Sequence, residues 1–374
     1  MKIVIAIDSF KGSLSSLEAG GAVKKAAQKI FPQCDISVFP LADGGEGTAR
    51  AIAFSRGGER VCLSVTGPLT HKVEAEYYIL QDNTAVIEMS SAAGLTLVPE
   101  DKRDPLKTTT YGVGELIKDA INKGCRSFII GIGGSATNDG GTGMLKALGF
   151  EFLDKYGKEI PLGAIGLSQL EKISSLKVMP ELKQCSFKIA CDVKNPLCGK
   201  NGCSAVFSPQ KGARSEDILK MDSWLLNYSR LAKEINLFAD ADFPGAGAAG
   251  GLGFAFLAFT NAGLRSGVSL VLESLNIEEQ IKTADLVITG EGKIDGQTVM
   301  GKAPIGVARM AKKYQKKVIA FAGALGKGAE LCLSSGIDSY YCITPKTMTT
   351  REAMKKENAL KNMENTAKRV FEEL

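Results

Sequence analysis

The sequence predicts an α/β protein whose main parallel sheet is built from both ends of the chain around an inserted middle segment. Short β-rich apolar runs alternate with helical stretches at the N-terminus, and the same texture returns beyond residue 285. The segment between reads differently, with turn-separated strands followed by long glycine-rich loops.

Taken in order, "KIVIAID" is a first strand ending at an aspartate, "SSLEAGGAVKKAAQKI" a helix, "DISVFPLAD" a second strand, and a helix follows "GGEGTARAIAF". "ERVCLSVTGPLTHKVEAEYYIL" and "NTAVIEMS" read as strands suited to antiparallel pairing. "ADLVITGEG" and "KVIAFAGALG" are buried strands that end in glycines, with the helix "APIGVARMAKKYQ" between them and "SYYCIT" as a further strand. A last helix over 349–374 places Leu360, Met363, Ala367, Val370, Phe371 and Leu374 on one covering face. The expected domains are therefore residues 1–66 with 285–374, and an inserted mixed-sheet α/β domain over 67–284.

Composition excludes several classes of function. The 46 basic and 41 acidic residues leave a formal charge of +5 spread along the chain, too dilute for a nucleic-acid or anionic-membrane partner. "MKIVIAIDSF" has too short an apolar run for a signal peptide, so the cytoplasm is the expected location. Nine scattered cysteines without a C-x-x-C pair point to reduced thiols, and the spacings in "CDVKNPLCGKNGC" do not suit zinc. His71 is the single histidine, in a turn-like "GPLTHK", which removes a histidine-rich metal centre and leaves a Ser-His-Asp hydrolase little to stand on. The uncharged stretch from Phe243 to Leu264 is long enough to span a membrane, but its six glycines and one proline argue for a loop entering a buried helix. The sequence leaves homo-oligomerisation open.

Ligands of α/β sheets collect at the carboxyl ends of strands. Five apolar runs here are followed by loops of one chemistry: "DSFKGSLS", "DGGEGT", "GIGGSATNDGGTGM", "CDVKNP" and "GEGKIDGQTVMGK". Glycine lets backbone N–H groups approach a phosphate, hydroxyls add donors, lysine neutralises charge, and carboxylates hold a metal or take a proton. Each loop also has a plain reading as a turn, but together they describe phosphoryl transfer. "GIGGSA" fits the G-x-G-x-x-A dinucleotide fingerprint and keeps a nicotinamide-dependent oxidoreductase as a rival, although "TNDGGTG" prolongs the loop before a helix can begin. "GAGAAG" follows Pro244 rather than a strand, and "GQTVMGKA" has Ala303 where a P-loop needs Ser or Thr. A non-catalytic sensor of small phosphorylated acids is the other alternative.

"DSFKGSLS", "LADGGEGT", "GIGGSATNDGG", "ACDVKNPLCG", "PQKGA", "GAGAAGGLGF" and "TGEGKIDGQTVMGKAPIGVA" together resemble the ordered motifs of the bacterial class I glycerate kinases, from residue 1 to beyond 320. The resemblance implies an ATP- and Mg²⁺-dependent kinase acting on D-glycerate, with 2-phosphoglycerate the more usual product and 3-phosphoglycerate the alternative. It also implies a flavodoxin-like domain from the two chain ends and an inserted domain of restriction-endonuclease-like architecture.

Chemistry assigns the roles. Lys11 is expected on an anionic group of substrate or transferring phosphate, with Ser9 and Ser13 as donors beside it. Gly133, Gly134, Ser135, Thr137 and Asn138 are expected around the ATP phosphates. With His71 poorly placed, carboxylates must position the metal and deprotonate the attacking hydroxyl, and the candidates are Asp8, Asp43, Glu46, Asp139, Asp192, Glu291 and Asp295. Asp192 is favoured for Mg²⁺ and Asp295 for the base.

Overall fold

The computed structural model of the chain describes residues 1–42 and 47–374. Asp43 and Glu46, two of the candidate carboxylates, lie outside the described residues. In chain order the strands are β1 (Lys2–Ile7), β2 (Asp35–Pro40), β3 (Gly58–Thr66), β4 (Lys72–Leu80), β5 (Thr84–Glu88), β6 (Ser127–Gly131), β7 (Glu151–Leu153), β8 (Lys172–Ser174), β9 (Ser186–Ala190), β10 (Ala262–Arg265), β11 (Leu286–Ile294), β12 (Lys317–Leu325) and β13 (Ser339–Cys342).

Two compact units are present, Met1–Asp43 with Val268–Leu374, and Gly44–Gly267. These limits differ from the 66 and 285 expected from sequence. β3, read as part of the first domain, pairs along its whole length with β4, from Gly58↔Leu80 to Thr66↔Lys72. At the other limit, Val268 packs on the helix Ala303–Lys313, where a Cβ on Gly306 would lie 2.4 Å from Val268 Cγ1. The texture of a strand does not reveal which sheet its edge joins.

The first unit is a five-stranded sheet in the order β13-β12-β11-β1-β2, parallel throughout. Counted within the unit and from the β2 side, this is 2-1-3-4-5, the flavodoxin-like doubly wound order. Ile3, Ile5 and Ile7 of β1 face a core shared with Ala19, Val23 and Ala26 of the helix Ser16–Ile30 and with Met363, Val370 and Phe371 of the helix Lys356–Glu372. Alternation along the strands turns Val4, Ala6 and Val287 to the other face, which Ala303–Lys313 covers. The helix Ser16–Ile30 starts where it does because Ser15 and Glu18 form a capping box, with Glu18 N–H donating to Ser15 Oγ and Ser15 N–H to Glu18 Oε2. The C-terminal covering helix is shorter than expected. Thr349 caps a separate turn, Thr350–Ala353, and Leu374 lies beyond the last helical residue and is exposed.

The second unit holds a six-stranded mixed sheet, β10-β9-β6-β5-β4-β3, and the small antiparallel pair β7–β8. β3, β4 and β5 pair antiparallel, while β5, β6, β9 and β10 run parallel. Phe128 and Phe187 stack across β6 and β9 with ring centroids 4.7 Å apart. The uncharged stretch becomes the buried helix Ala248–Phe259 followed by β10, and no helix among the described residues is long and apolar enough to cross a membrane.

That helix opens on Ala249, Gly250 and Gly251, all with positive φ. Its first turn lies against the loop after β6: Gly140 N–H donates to Gly250 O at 2.9 Å, and a Cβ on Gly250 would sit 2.1 Å from Thr137 O. Backbone meets backbone, so no side chain can yield. Gly250→Ala adds a steric clash to a strained φ and is expected to cost at least about 2 kcal/mol in urea unfolding; a loss below about 0.5 kcal/mol would show that the contact does not hold the loop.

Candidate functional site

In the first unit a cavity of about 600 Å³ opens at the carboxyl ends of β1, β11, β12 and β13. Sheet order changes direction between β1 and β11, and such a switch point is where doubly wound sheets bind ligands. β1 is followed by a tight loop in which Phe10 N–H donates to Leu14 O at 2.8 Å. Phe10 and Leu14 are buried in the core, and Gly12 turns the chain with φ +76°. The polar residues before and between these anchors line the cavity: Asp8 and Ser9 ahead of Phe10, Lys11 and Ser13 after it. Ser13 Oγ is buried with no hydrogen-bond partner among the described residues. A buried hydroxyl without a partner is costly, and a ligand oxygen would satisfy it.

β11 supplies the opposite carboxylate. The register Ile7↔Gly290 brings Asp8 beside Glu291, and Asp8 N–H donates to Gly290 O at 2.9 Å. Each of the two acids is only 7% exposed. Glu291 Oε1 accepts from Thr298 Oγ1 at 2.6 Å, and Oε2 lies 3.4 Å from Lys302 Nζ. Burial nevertheless raises the Glu291 pKa above the ordinary carboxylate range, against the pull of Thr298 and Lys302. Lys293, Lys302 and Lys346 join Lys11 in the lining, so four ammonium groups and two carboxylates surround a space fit for a small hydroxylated anion.

Asp295 is placed differently from the expectation. It does not line this cavity. Its carboxylate accepts from Gln297 N–H at 2.9 Å and pairs with Lys293 at 3.0 Å, and the Lys293 hydrogen bond leads in holding it below the usual carboxylate range. A carboxylate so stabilised is a poor proton acceptor.

In the second unit a cavity of about 670 Å³ is lined by Gly133 and Gly134 together with Ser90, Ser91, Arg50 and Glu88. Only these two glycines of the predicted phosphate loop are exposed. Ser135 is buried and accepts from Lys211 Nζ at 2.7 Å, and Thr137 and Asn138 are completely enclosed. Lys211 also donates to Thr137 O at 2.7 Å, and Asn138 Nδ2 to Ser204 Oγ at 2.8 Å. Thr137 and Asn138 are thus turned inward, contrary to the reading that set their side chains toward phosphate. The reason is the backbone contact with Gly250, which seals that side of the loop. Asp139 is structural too, accepting from Thr110 N–H and Oγ1 and from the N–H groups of Gly141 and Gly143. The dinucleotide fingerprint is not realised, because the following helix begins only at Thr142.

Asp192 belongs to this unit, just past β9, exposed, and accepts from Gly267 N–H at 2.9 Å. The described residues contain no group of three acids, histidines or cysteines arranged to hold a metal. The thiols nearby are favoured in their neutral form: desolvation raises Cys191 and Cys198, and pushes Cys203 up to about 12. Sequence reasoning missed Lys211, although "PQKGA" contains it. A lysine between proline and glycine reads as a solvated turn, and nothing local announces that it is 3% exposed.

The family model described as "Glycerate kinase family" matches residues 3–374. A glycerate kinase from Halalkalibacterium halodurans is 48% identical, covering 96% of this chain and 94% of that protein. A glycerate 2-kinase from Escherichia coli is 49% identical over 95% of this chain and 93% of that protein. A crystal structure assigned as glycerate kinase 2 from Salmonella typhimurium LT2 superposes with a TM-score of 0.91 at 46% identity, covering 100% of this chain and 98% of that one.

Lys211 makes a prediction about pH. Burial lowers its pKa from the ordinary 10.5 to about 8, with Cys203 and Asp139 opposing the shift. Above about pH 8 the folded protein releases this proton while the unfolded chain keeps it to about 10.5, so this residue's contribution to stability rises with pH across that window. Melting of the wild type and of Lys211→Met between pH 7 and 10.5 should show the wild type gaining on the variant. A difference independent of pH would mean that Lys211 keeps an ordinary pKa.

Proposed function

The chain belongs to the glycerate kinase family, and on that premise we propose that it transfers the γ-phosphoryl group of ATP to D-glycerate, with 2-phosphoglycerate as product. The observation that carries this reading is the cavity at the β1/β11 switch point, where Lys11 and the partnerless Ser13 hydroxyl lie beside two buried carboxylates. A three-carbon acid with two hydroxyls needs a fixed cation and a mixed set of donors and acceptors. Lys11 serves the carboxylate or the transferring phosphate, and Ser9 and Ser13 serve the oxygens beside it.

Gly133 and Gly134 are the part of the glycine-rich loop left open to nucleotide phosphates. Lys211, Thr137 and Asn138 hold that segment in place from beneath. Mg²⁺ retains several waters and takes one or two carboxylates along with substrate phosphates; Asp192, exposed but lining neither cavity, would be one such carboxylate for an ion carried on ATP. When bound, the ion neutralises charge on the phosphate oxygens. The name of the Escherichia coli relative, glycerate 2-kinase, supports transfer to the C2 hydroxyl over the C3 alternative. A nicotinamide-dependent reaction is disfavoured by the late start of the helix at Thr142.

Incubation with Mg-ATP and D-glycerate, followed by phosphorus NMR, should yield ADP and 2-phosphoglycerate. A signal for 3-phosphoglycerate would correct the regiochemistry, and unchanged ATP would reject the kinase reading. Lys11→Met should raise KM for glycerate by about 10- to 100-fold, the loss of one charge-assisted contact; an unchanged KM and kcat would remove Lys11 from the site.

A further inference from the structure

We propose that Glu291 is the catalytic base that takes the proton from the attacking hydroxyl of glycerate. The inference rests on the phosphoryl-transfer reading and names the group that completes it.

Among the carboxylates of the first unit, Glu291 meets three geometric requirements together. It lines the cavity at the switch point. Its side chain is enclosed and aimed, with Thr298 Oγ1 on one oxygen and Lys302 Nζ near the other. Its backbone is tied to the start of the substrate loop, since the N–H of Asp8 donates to the carbonyl of the preceding Gly290 at 2.9 Å, and Gly292 on its other side lies at ordinary contact distance from Phe10 and Lys11. Asp295 fails the first requirement; Asp8 also lines the cavity, its Oδ1 accepting from the N–H of Ser9 at 2.6 Å, and is the rival that the variants below separate.

The step balances without further reactants. As the glycerate oxygen bonds to the γ-phosphorus, the bond from that phosphorus to the β–γ bridging oxygen breaks and ADP leaves with its electron pair. The hydroxyl proton passes to a carboxylate oxygen of Glu291 and then to solvent. Thr298 and Lys302 keep the carboxylate oriented during this exchange. Burial places its titration above the ordinary value of 4.5, closer to the working pH. The other charged or titratable groups in its surroundings are Asp8, Lys11, Lys293 and Lys346 of the lining, with Asp295 and, from the segment Ala329–Ser335, Cys332 and Glu330.

The test compares the wild type with Glu291→Gln, which preserves the shape and can still accept from Thr298. The variant should bind D-glycerate in calorimetry with affinity within about threefold, lose kcat by about 100-fold or more, and lose the acid limb of the wild-type kcat/KM profile. Glu291→Asp, which keeps the charge but withdraws it, should retain the acid limb with kcat reduced about tenfold, and it answers the question if the glutamine variant does not fold. Near-normal kcat in either variant, or an acid limb that persists in Glu291→Gln, overturns the assignment. So does a larger loss on Asp8→Asn or Asp295→Asn. A wild type that forms no ADP from glycerate rejects the kinase reading itself, whereas an active wild type with an active Glu291→Gln rejects only the role of Glu291.

Discussion

The pairing of β1 with β11 is the contact on which the first unit depends. It joins backbone some 283 residues apart in the chain, as the Lys2 to Asp285 hydrogen bond at its start marks. Both strands are buried on both faces, so the register is held by every apolar side chain along them. A slip of one residue would turn Ile3, Ile5 and Ile7 away from their core and would separate Asp8 from Glu291. Sheet stability and the geometry of the cavity are therefore one constraint here. The loop after β1 inherits its position from the same pairing, through Phe10 and Leu14 below and Gly292 alongside.

The second unit solves a different problem by a different contact. Two glycine-rich segments, one after β6 and one opening the helix Ala248–Phe259, approach until backbone touches backbone. Such an approach leaves polar groups sealed inside, and buried polar groups must find partners. Lys211 reaches two of them, Ser135 Oγ and Thr137 O, while Asp139 gathers N–H groups from two neighbouring turns. The exposed surface that remains of this loop is small, chiefly Gly133 and Gly134. Most of its glycines and hydroxyls serve architecture, and only a short stretch is left for a ligand.

Several features were legible before any coordinates because they are local. The strands beginning at Lys2, Leu286 and Lys317 are continuous apolar runs that end in glycine or aspartate, which is what a doubly covered parallel strand looks like. Ser9, Lys11 and Ser13 were readable as a cavity edge, since a polar cluster directly after such a strand falls at its carboxyl end. Thr137 and Asn138 turn inward against expectation because hydrogen-bonding capacity is visible in sequence whereas its direction is not. Asp295 reads as available from its glycine-bearing turns for the same reason, and only the fold shows it paired with Lys293 outside the cavity that Glu291 lines.

By itself the sequence determined the family, the alternation that yields a parallel sheet from both chain ends, and the polar loop after β1 that lines the first cavity. Each follows from residue type and spacing, which act over a few neighbours or are compared motif by motif. Only the tertiary structure decided that β3 joins the second sheet, that Lys211 is buried, and that Glu291 rather than Asp295 faces the cavity. Those outcomes turn on which distant backbone a segment meets, and on whether that meeting leaves a side chain in water or in the protein. A charge changes its chemistry with that surrounding, as the opposite shifts of Glu291 and Asp295 four residues apart make plain.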